Sequence, residues 1–254
     1  MDNNARDRFS NRVSDYIASR PSYPVELLDT LEQSGALHAS TVAVEVGAGT
    51  GIFSRLLAPR TRFLYCVEPN QAMREACERA LSGFENTVVL PGDAESTGLE
   101  SQSVTLYAAA QAFHWFDIEA ARREALRILT ADGHALLVWN ERETESTSFL
   151  RAYEALIQRH AIDYRKVNHT QIGRTQLETF FGSNDYTARE FENLHHHDLE
   201  GLEARLASSS YMPSRTASGY KEMVDDLAQL FSAYQEDGYV AIRYRTRGYL
   251  GRVV

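Results

Sequence analysis

Residues 42–57 read VAVEVGAGTGIFSRLL, and VEPN follows at 67–70. The run from Val42 is apolar or small up to Glu45, the pattern of a buried parallel strand, and Gly47, Gly49 and Gly51 then make a turn in which backbone amides can approach a ligand. Phe53, Leu56 and Leu57 follow at i, i+3, i+4 spacing and predict a helix whose N-terminus points into that turn. Glu68 ends the next strand, where a carboxylate can accept both hydroxyls of a ribose, as in nucleotide-binding doubly wound folds.

The glycine spacing separates two kinds of site. A dinucleotide fingerprint runs G-x-G-x-x-G, its last glycine serving close helix packing beside a pyrophosphate. Here the spacing is G-x-G-x-G, and position 52 is Ile. Glu45, two positions before the first glycine, is poorly placed for a pyrophosphate and well placed for a ligand bearing an ammonium group.

Composition narrows the class. A chain of 254 residues can form one large α/β domain, or a core domain with a smaller cap, and bury a sizeable core. The formal charge is −9 and no Lys/Arg-dense stretch stands out, which disfavours a nucleic-acid partner. Cys66 and Cys77 are the only cysteines, too few for a disulfide scaffold, so reduced buried thiols are expected. The start, MDNNARDRFSNRVSDY, lacks a basic n-region and an apolar h-region, and no apolar run is long enough to span a bilayer, so a soluble cytoplasmic protein is expected.

Along the chain, Phe9, Val13, Tyr16 and Ile17 predict an amphipathic helix over 6–19, and RPSYP at 20–24 breaks it before a second helix at 24–34. After Glu68, Asn70 can cap a helix running from Met73 to Leu81; TVVLPGDAE at 87–95 reads as a third strand ending at Asp93, and SVTLYAAA at 103–110 as a fourth. A helix at 118–129, a turn at Asp132-Gly133 and a strand at 135–139 follow. This alternation argues for a parallel sheet with helices on both faces. Helices near 147–160 and 174–181, a strand at 186–193, a mostly helical segment at 199–235 and an alternating strand at 239–254 complete the pattern. The expected fold is one domain over 1–254: a Rossmann-like, doubly wound, seven-stranded, mostly parallel sheet with an antiparallel last strand. Its core is about 36–140 plus the late strands, and its helical cap is about 1–34 and 199–235.

Successive strand ends offer the partners an adenosine needs. Glu68 suits the ribose, Asn70 or Met73 could cover one adenine face, and Asp93 and the Ala94 amide could read the adenine edge. Ordinary core packing for Met73 and a turn role for Asp93 are the competing readings. The fourth strand ends in AAAQAFHWFD at 108–117, crowding Gln111, Phe113, His114, Trp115 and Phe116 into the mouth where open sheets place ligands. An apolar, water-poor mouth suits a reaction helped by positioning and desolvation. His114 is the candidate base by residue type, against a simpler packing role beside Trp115. Tyr211 and Arg215, with Trp115, are acceptor-side candidates, and Arg215 or Arg245 could hold a carboxylate. His195, His196 and His197 are consecutive, so they cannot readily converge on one ion, and no metal is expected.

AVEVGAGTG, VEPN, GDAE and QAFHWFD in that order, with the F-x6-Y-x3-RP-x-YP pattern from Phe9 to Pro24, resemble the class I S-adenosylmethionine (SAM) dependent methyltransferases of the small-molecule type, methyltransferase type 11, which includes the trans-aconitate methyltransferase-like enzymes. The resemblance covers about 9–140 well and SSSYMPS at 208–214 and RYRTRGYLG more loosely. It implies that Glu45, Gly47, Ala48, Gly49, Gly51, Glu68, Pro69, Met73, Asp93, Ala94 and Gln111 surround SAM, with S-adenosylhomocysteine (SAH) as product. It also implies that the N-terminal helix closes over SAM, bringing Arg20 and Tyr16 to its methionine end, Tyr16 joining His114 as a catalytic candidate. Thr105 departs from the pattern, many relatives carrying Asp there, and no N/D-P-P-Y/F motif of nucleic-acid methylating enzymes follows the fourth strand. The expected activity is methylation of a small molecule at oxygen, a carboxylate oxygen included, by a monomer or homodimer without nucleic-acid or membrane partners. The rival readings are an NAD(P)-dependent oxidoreductase, opposed by Ile52 and the lack of a Tyr-x-x-x-Lys pair, and a non-catalytic SAM-binding sensor or partner subunit.

Overall fold

The computed structural model describes residues 20–162, 173–209 and 211–254. The helix expected over 6–19, with Tyr16, lies outside them. Helix α1 (Val25–Gln33) begins after Pro24 and buries Leu27, Leu28 and Leu31. Strand β1 (Val42–Val46) leads through the glycine turn into α2 (Ser54–Leu57), and β2 (Phe63–Val67) leads into α3 (Gln71–Leu81). Strands β3 (Thr87–Leu90) and β4 (Val104–Ala110) precede α4 (Ile118–Ile128) and β5 (Leu129–Arg142). The remainder comprises α5 (Ser148–His160), α6 (Arg174–Phe181), β6 (Tyr186–His197), α7 (Leu199–Ala207), α8 (Tyr220–Tyr234) and β7 (Val240–Gly251).

The seven strands form one sheet in the order β3-β2-β1-β4-β5-β7-β6. Strands β1 to β5 pair in parallel, and β7 runs antiparallel to both β5 and β6, which gives the expected doubly wound sheet with its last strand reversed. On one face, α1, α2 and α3 cover Ala43, Leu64, Leu106 and Val138; on the other, α4 and α6 cover Val44, Tyr107 and Trp139. Because connections leave β1 toward β2 and β4 toward β5, the strand order reverses between β1 and β4, opening a crevice at their C-terminal ends. A third apolar cluster, of α5, α7 and α8 against Val240, Ile242 and Tyr244, caps the sheet beyond the end of β5.

Four boundaries differ from the sequence reading, each for a local reason. The helix after the glycine turn is only four residues long and passes into a 3-10 turn at Ala58–Arg60, because Pro59 supplies no amide for a continuing helix. Strand β3 stops at Leu90 rather than Asp93, since Pro91 ends the ladder, and Asp93 instead bridges Ser96 across a tight turn. The turn expected at Asp132-Gly133 is an excursion inside one strand: Val104 pairs with Leu129, and the next pair is Leu106 with His134. Strand β6 continues to His197, so His195 and His197 share one face and His196 points to the other.

A buried polar network holds the 20–24 segment against the sheet. Asn140 on β5 and Asn193 on β6 both donate to the Ser22 carbonyl, at 3.1 and 2.8 Å, while Asn193 and Thr246 of β7 donate to the Asn140 side-chain oxygen. Tyr23 meets Phe53 edge to face at 5.0 Å. The strap that follows the N-terminal segment is thereby fixed over the C-terminal end of β5.

Candidate active site

Strands β1 and β2 end level with each other, and the Gly47 and Ala48 amides donate back to the Val67 carbonyl, at 2.8 and 3.2 Å. Gly47, Gly49 and Gly51 all have positive φ, at +71°, +57° and +84°. Their surroundings divide them. A Cβ on Gly47 would lie 2.5 Å from the Ala112 Cβ and one on Gly51 3.0 Å from the Cys77 sulfur, whereas at Gly49 it would meet nothing within 4 Å. Two glycines therefore pack the turn against the loop after β4 and against α3, and the middle one borders open space.

Glu68 joins the two acidic strand ends' loops. One carboxylate oxygen accepts the Gly49 amide and the other the Asn70 amide, both at 2.9 Å, while the Asn70 side chain caps α3 at the Met73 amide. Pro69 lies half-buried in this turn, and Met73 is buried in α3. Thr50 is buried, and its hydroxyl has no hydrogen-bond partner among the described residues. Glu45, 1% exposed, instead faces the Ser54 hydroxyl and pairs across the sheet with Cys66. Burial pushes its carboxyl well above the usual range, against the lowering effect of Ser54.

Across the crevice, Gln111 sits at the end of β4 with φ +57°, an uncommon conformation for a residue with a side chain. Two contacts to β5 hold it there: its amide donates to Val138, and its side-chain oxygen accepts the Asn140 amide, each at 2.8 Å. The 3-10 turn Phe113–Trp115 sorts the aromatics by role. Phe113 is buried against Trp139 and Phe180, whereas His114 and Trp115, ring centroids 4.9 Å apart, stay half-buried at the mouth. Beyond β3, Ala94 packs into the core and Asp93 accepts the Ser96 amide at 3.0 Å. The loops after β3 and β4 are joined where Glu95 accepts the Asp117 amide.

The Arg20 guanidinium donates to the Ser208 carbonyl at the C-terminal end of α7, a favourable place for a cation. Arg215 pairs with Glu203 at 3.0 Å and is half exposed, and Arg245 pairs with Glu143; both act as ties between neighbouring segments. Tyr211 lies against the cap cluster, its carbonyl accepting the Ile162 amide.

Sequence reasoning missed Thr50, Asn140, Asn193, Arg142 and Arg205. Arg205 carried a signal: at i+3 from Leu202 and i−1 from Leu206 it falls on the apolar face of α7, where a charge is out of place. Among the described residues no group of three His, Cys, Asp or Glu side chains is arranged to hold a metal, and no helix is long and apolar enough to cross a membrane. A cavity of about 310 Å³ between α1 and the β6–β7 edge, lined by Leu27, Leu31, Thr187 and Leu250, lies away from the strand C-termini.

This arrangement has counterparts in known proteins. Residues 44–137 match the family described as Methyltransferase domain. A methyltransferase-like protein of Schizosaccharomyces pombe is 27% identical over 249 residues, 95% of this chain and 93% of that protein. A Mycobacterium tuberculosis methyltransferase is 36% identical over 135 residues, 53% of each chain, so that likeness spans about half its length. The solved structure of a candidate type II methyltransferase from Anaeromyxobacter dehalogenans superposes with a TM-score of 0.66 at 19% identity, covering 92% of this chain and 98% of that one. The glycine turn, the sheet order and these likenesses together support a class I SAM-dependent methyltransferase.

Proposed function

We propose that the crevice between β1 and β4 holds SAM and that the chain methylates a small molecule at oxygen. The observation that carries this reading is the clasp of Glu68 on the Gly49 and Asn70 amides beside the open space at Gly49. A carboxylate has about four lone-pair sites, so Glu68 can accept ribose hydroxyls while still ordering both loops. The buried Thr50 hydroxyl is a further polar group that a ligand in the turn would satisfy. Bound SAM supplies a methyl group on a cationic sulfur that departs with the bonding electrons.

The residues of the chain then position and desolvate. Gln111, held in its uncommon conformation by β5, orients the loop that carries His114 and Trp115 toward the crevice. Phe113 and Phe116 make the floor of that mouth apolar. His114 is the group there suited to accept a proton from a hydroxyl acceptor; an anionic oxygen needs no base. Asp93 and Ala94 border the adenine side, and Glu45 supports the turn from beneath through Ser54.

Calorimetric titration with SAH, with NADH and NADPH in parallel, tests the site. Micromolar binding of SAH alone is expected, and binding of a nicotinamide cofactor alone would overturn the assignment. Transfer of labelled methyl from SAM into metabolite extracts tests the acceptor class: a small labelled product supports it, and label appearing only in protein or nucleic acid sinks it.

A further inference from the structure

Among the described residues, Arg205 is a buried arginine. It is 8% exposed on α7, inside the cap cluster, with its Nε donating to the Tyr244 hydroxyl at 3.0 Å and its Nη1 to the Ser209 hydroxyl at 3.1 Å. No carboxylate is among its partners in the described residues. Neutral hydroxyls do not offset the cost of burying a full charge, and a buried cation ordinarily has an anion.

A second guanidinium lies alongside. Arg142, the last residue of β5, sits directly across from Tyr244 in the β5–β7 register, its side chain 10% exposed. It pairs with Glu154 and rests 5.4 Å from the centre of the Tyr153 ring, but its Nη1 is buried without a partner among the described residues. The titratable neighbours do not supply the missing charge. His195 and His197, on the face of β6 that abuts Arg205, are both depressed by burial first and by Arg205 second or third, so they are neutral near pH 7. Among the described residues, Glu154 is thus the one carboxylate paired with either of these two buried guanidiniums.

The cluster is close to the proposed chemistry. Arg142 is two residues beyond Asn140 on the same face of β5, about 7 Å along the strand, and the Asn140 amide is bonded to Gln111 at the crevice. Arg20 reaches the Ser208 carbonyl one turn of α7 from Arg205, so the strap borders the same space.

We propose that Arg205, together with Arg142 Nη1 and the Tyr244 hydroxyl, forms an anion-binding subsite that holds a carboxylate or phosphate group of the methyl acceptor. The proposal rests on the reading of the neighbouring crevice as the methyl-donor site. A guanidinium matches the paired oxygens of either group. An oxygen held between two guanidiniums is a poor nucleophile, so the bound anion is an anchor, and the oxygen that receives the methyl group is a different one on the same acceptor.

The test titrates SAH-loaded protein with succinate, with glycerol 3-phosphate and with neutral succinamide at fixed ionic strength, for the wild type, R205K and R205M. At least one anionic probe is expected to bind ten times more tightly than succinamide, and which one identifies the group. R205M is expected to weaken that probe at least thirtyfold with SAH affinity within twofold and an unchanged or higher Tm, since it removes an uncompensated buried charge; R205K should fall between. Saturable elevation of the wild-type Tm by the same probe, beyond that of chloride, reads the site without any variant. The proposal is overturned if no anion outcompetes succinamide in the wild type, or if R205M or R205K binds it as the wild type does. Failure of SAH to bind would refute the crevice assignment instead, and the anion titration of the same protein without SAH would still decide the subsite.

Discussion

The crevice at the glycine turn and the interior of the cap handle buried polarity in opposite ways. In the crevice, main-chain amides do the bonding and the side chains are acidic: Glu68 gathers two amides, Glu45 lies beneath and Asp93 closes a turn. Under the cap, side chains bond to side chains and the charge is positive, with Arg205 and Arg142 among tyrosines, histidines and asparagines. An acidic, amide-lined crevice suits a cationic, hydroxyl-rich donor, and a basic interior suits an anionic acceptor. Two ligands of opposite charge can thus be held by one chain whose net charge of −9 would by itself repel the second.

The sharpest way to break this contrast is inside the glycine turn. Gly47→Ala combines a positive φ with a 2.5 Å approach to Ala112 and is expected to destabilise by about 3–4 kcal/mol, read as a lower urea midpoint. Gly49→Ala, at φ +57° but in open space, is expected to lose about 1 kcal/mol of stability and, disproportionately, SAH affinity. Equal damage from both would remove the distinction between packing and ligand-bordering glycines. In the opposite region, Asn140→Ala leaves the Ser22 carbonyl, Asn193 and Thr246 with lost partners, and a loss of about 2–3 kcal/mol is expected; a variant as stable as the wild type would show that the strap is held by other contacts. Glu68→Ala should weaken SAH binding by on the order of 1.5–3 kcal/mol. Unchanged SAH affinity in a folded Glu68→Ala variant would remove that carboxylate from the site.

The two regions also differed in how far their sequence could be read. In the crevice, position in the chain dictates geometry: glycines set the turn, a strand end sets Glu68, and Asn70 caps the next helix as its residue type requires. Glu68 consequently reaches the Gly49 amide, and Gly47 packs against Ala112 next to Gln111. Local punctuation shifted only boundaries, as Pro59 and Pro91 show. The cap is assembled from residues far apart in the chain, and no local pattern pairs Ser22 with Asn193 or Arg205 with Tyr244. Exposure is invisible in a loop-rich stretch such as the one where Arg215 pairs with Glu203. The misfit of Arg205 on an apolar helix face was the one legible sign.

The smallest expected effect probes how strongly the cap feels its own charge. His197 is 9% exposed on β6, and burial first, then Arg205, hold its imidazole down to about 4. In the unfolded chain a histidine titrates near 6.5. Above that pH both states are neutral at this position and it contributes no pH dependence. As pH falls from about 6.5 toward 4 the unfolded chain takes up the proton and the folded one does not, so stability falls, by about 1–2 kcal/mol at pH 5. The stability difference between wild type and His197→Gln, measured by urea unfolding from pH 7.5 to 5, should therefore change in the variant's favour below pH 6.5 and stay flat above it. Because burial is the larger cause, most of that slope should survive in R205M, and the fraction that disappears measures how much of the Arg205 charge reaches β6 unscreened. A difference that is flat throughout would mean that His197 is hydrated as protonation begins, and that the cap interior is wetter than its packing against Ile242 and Tyr244 implies.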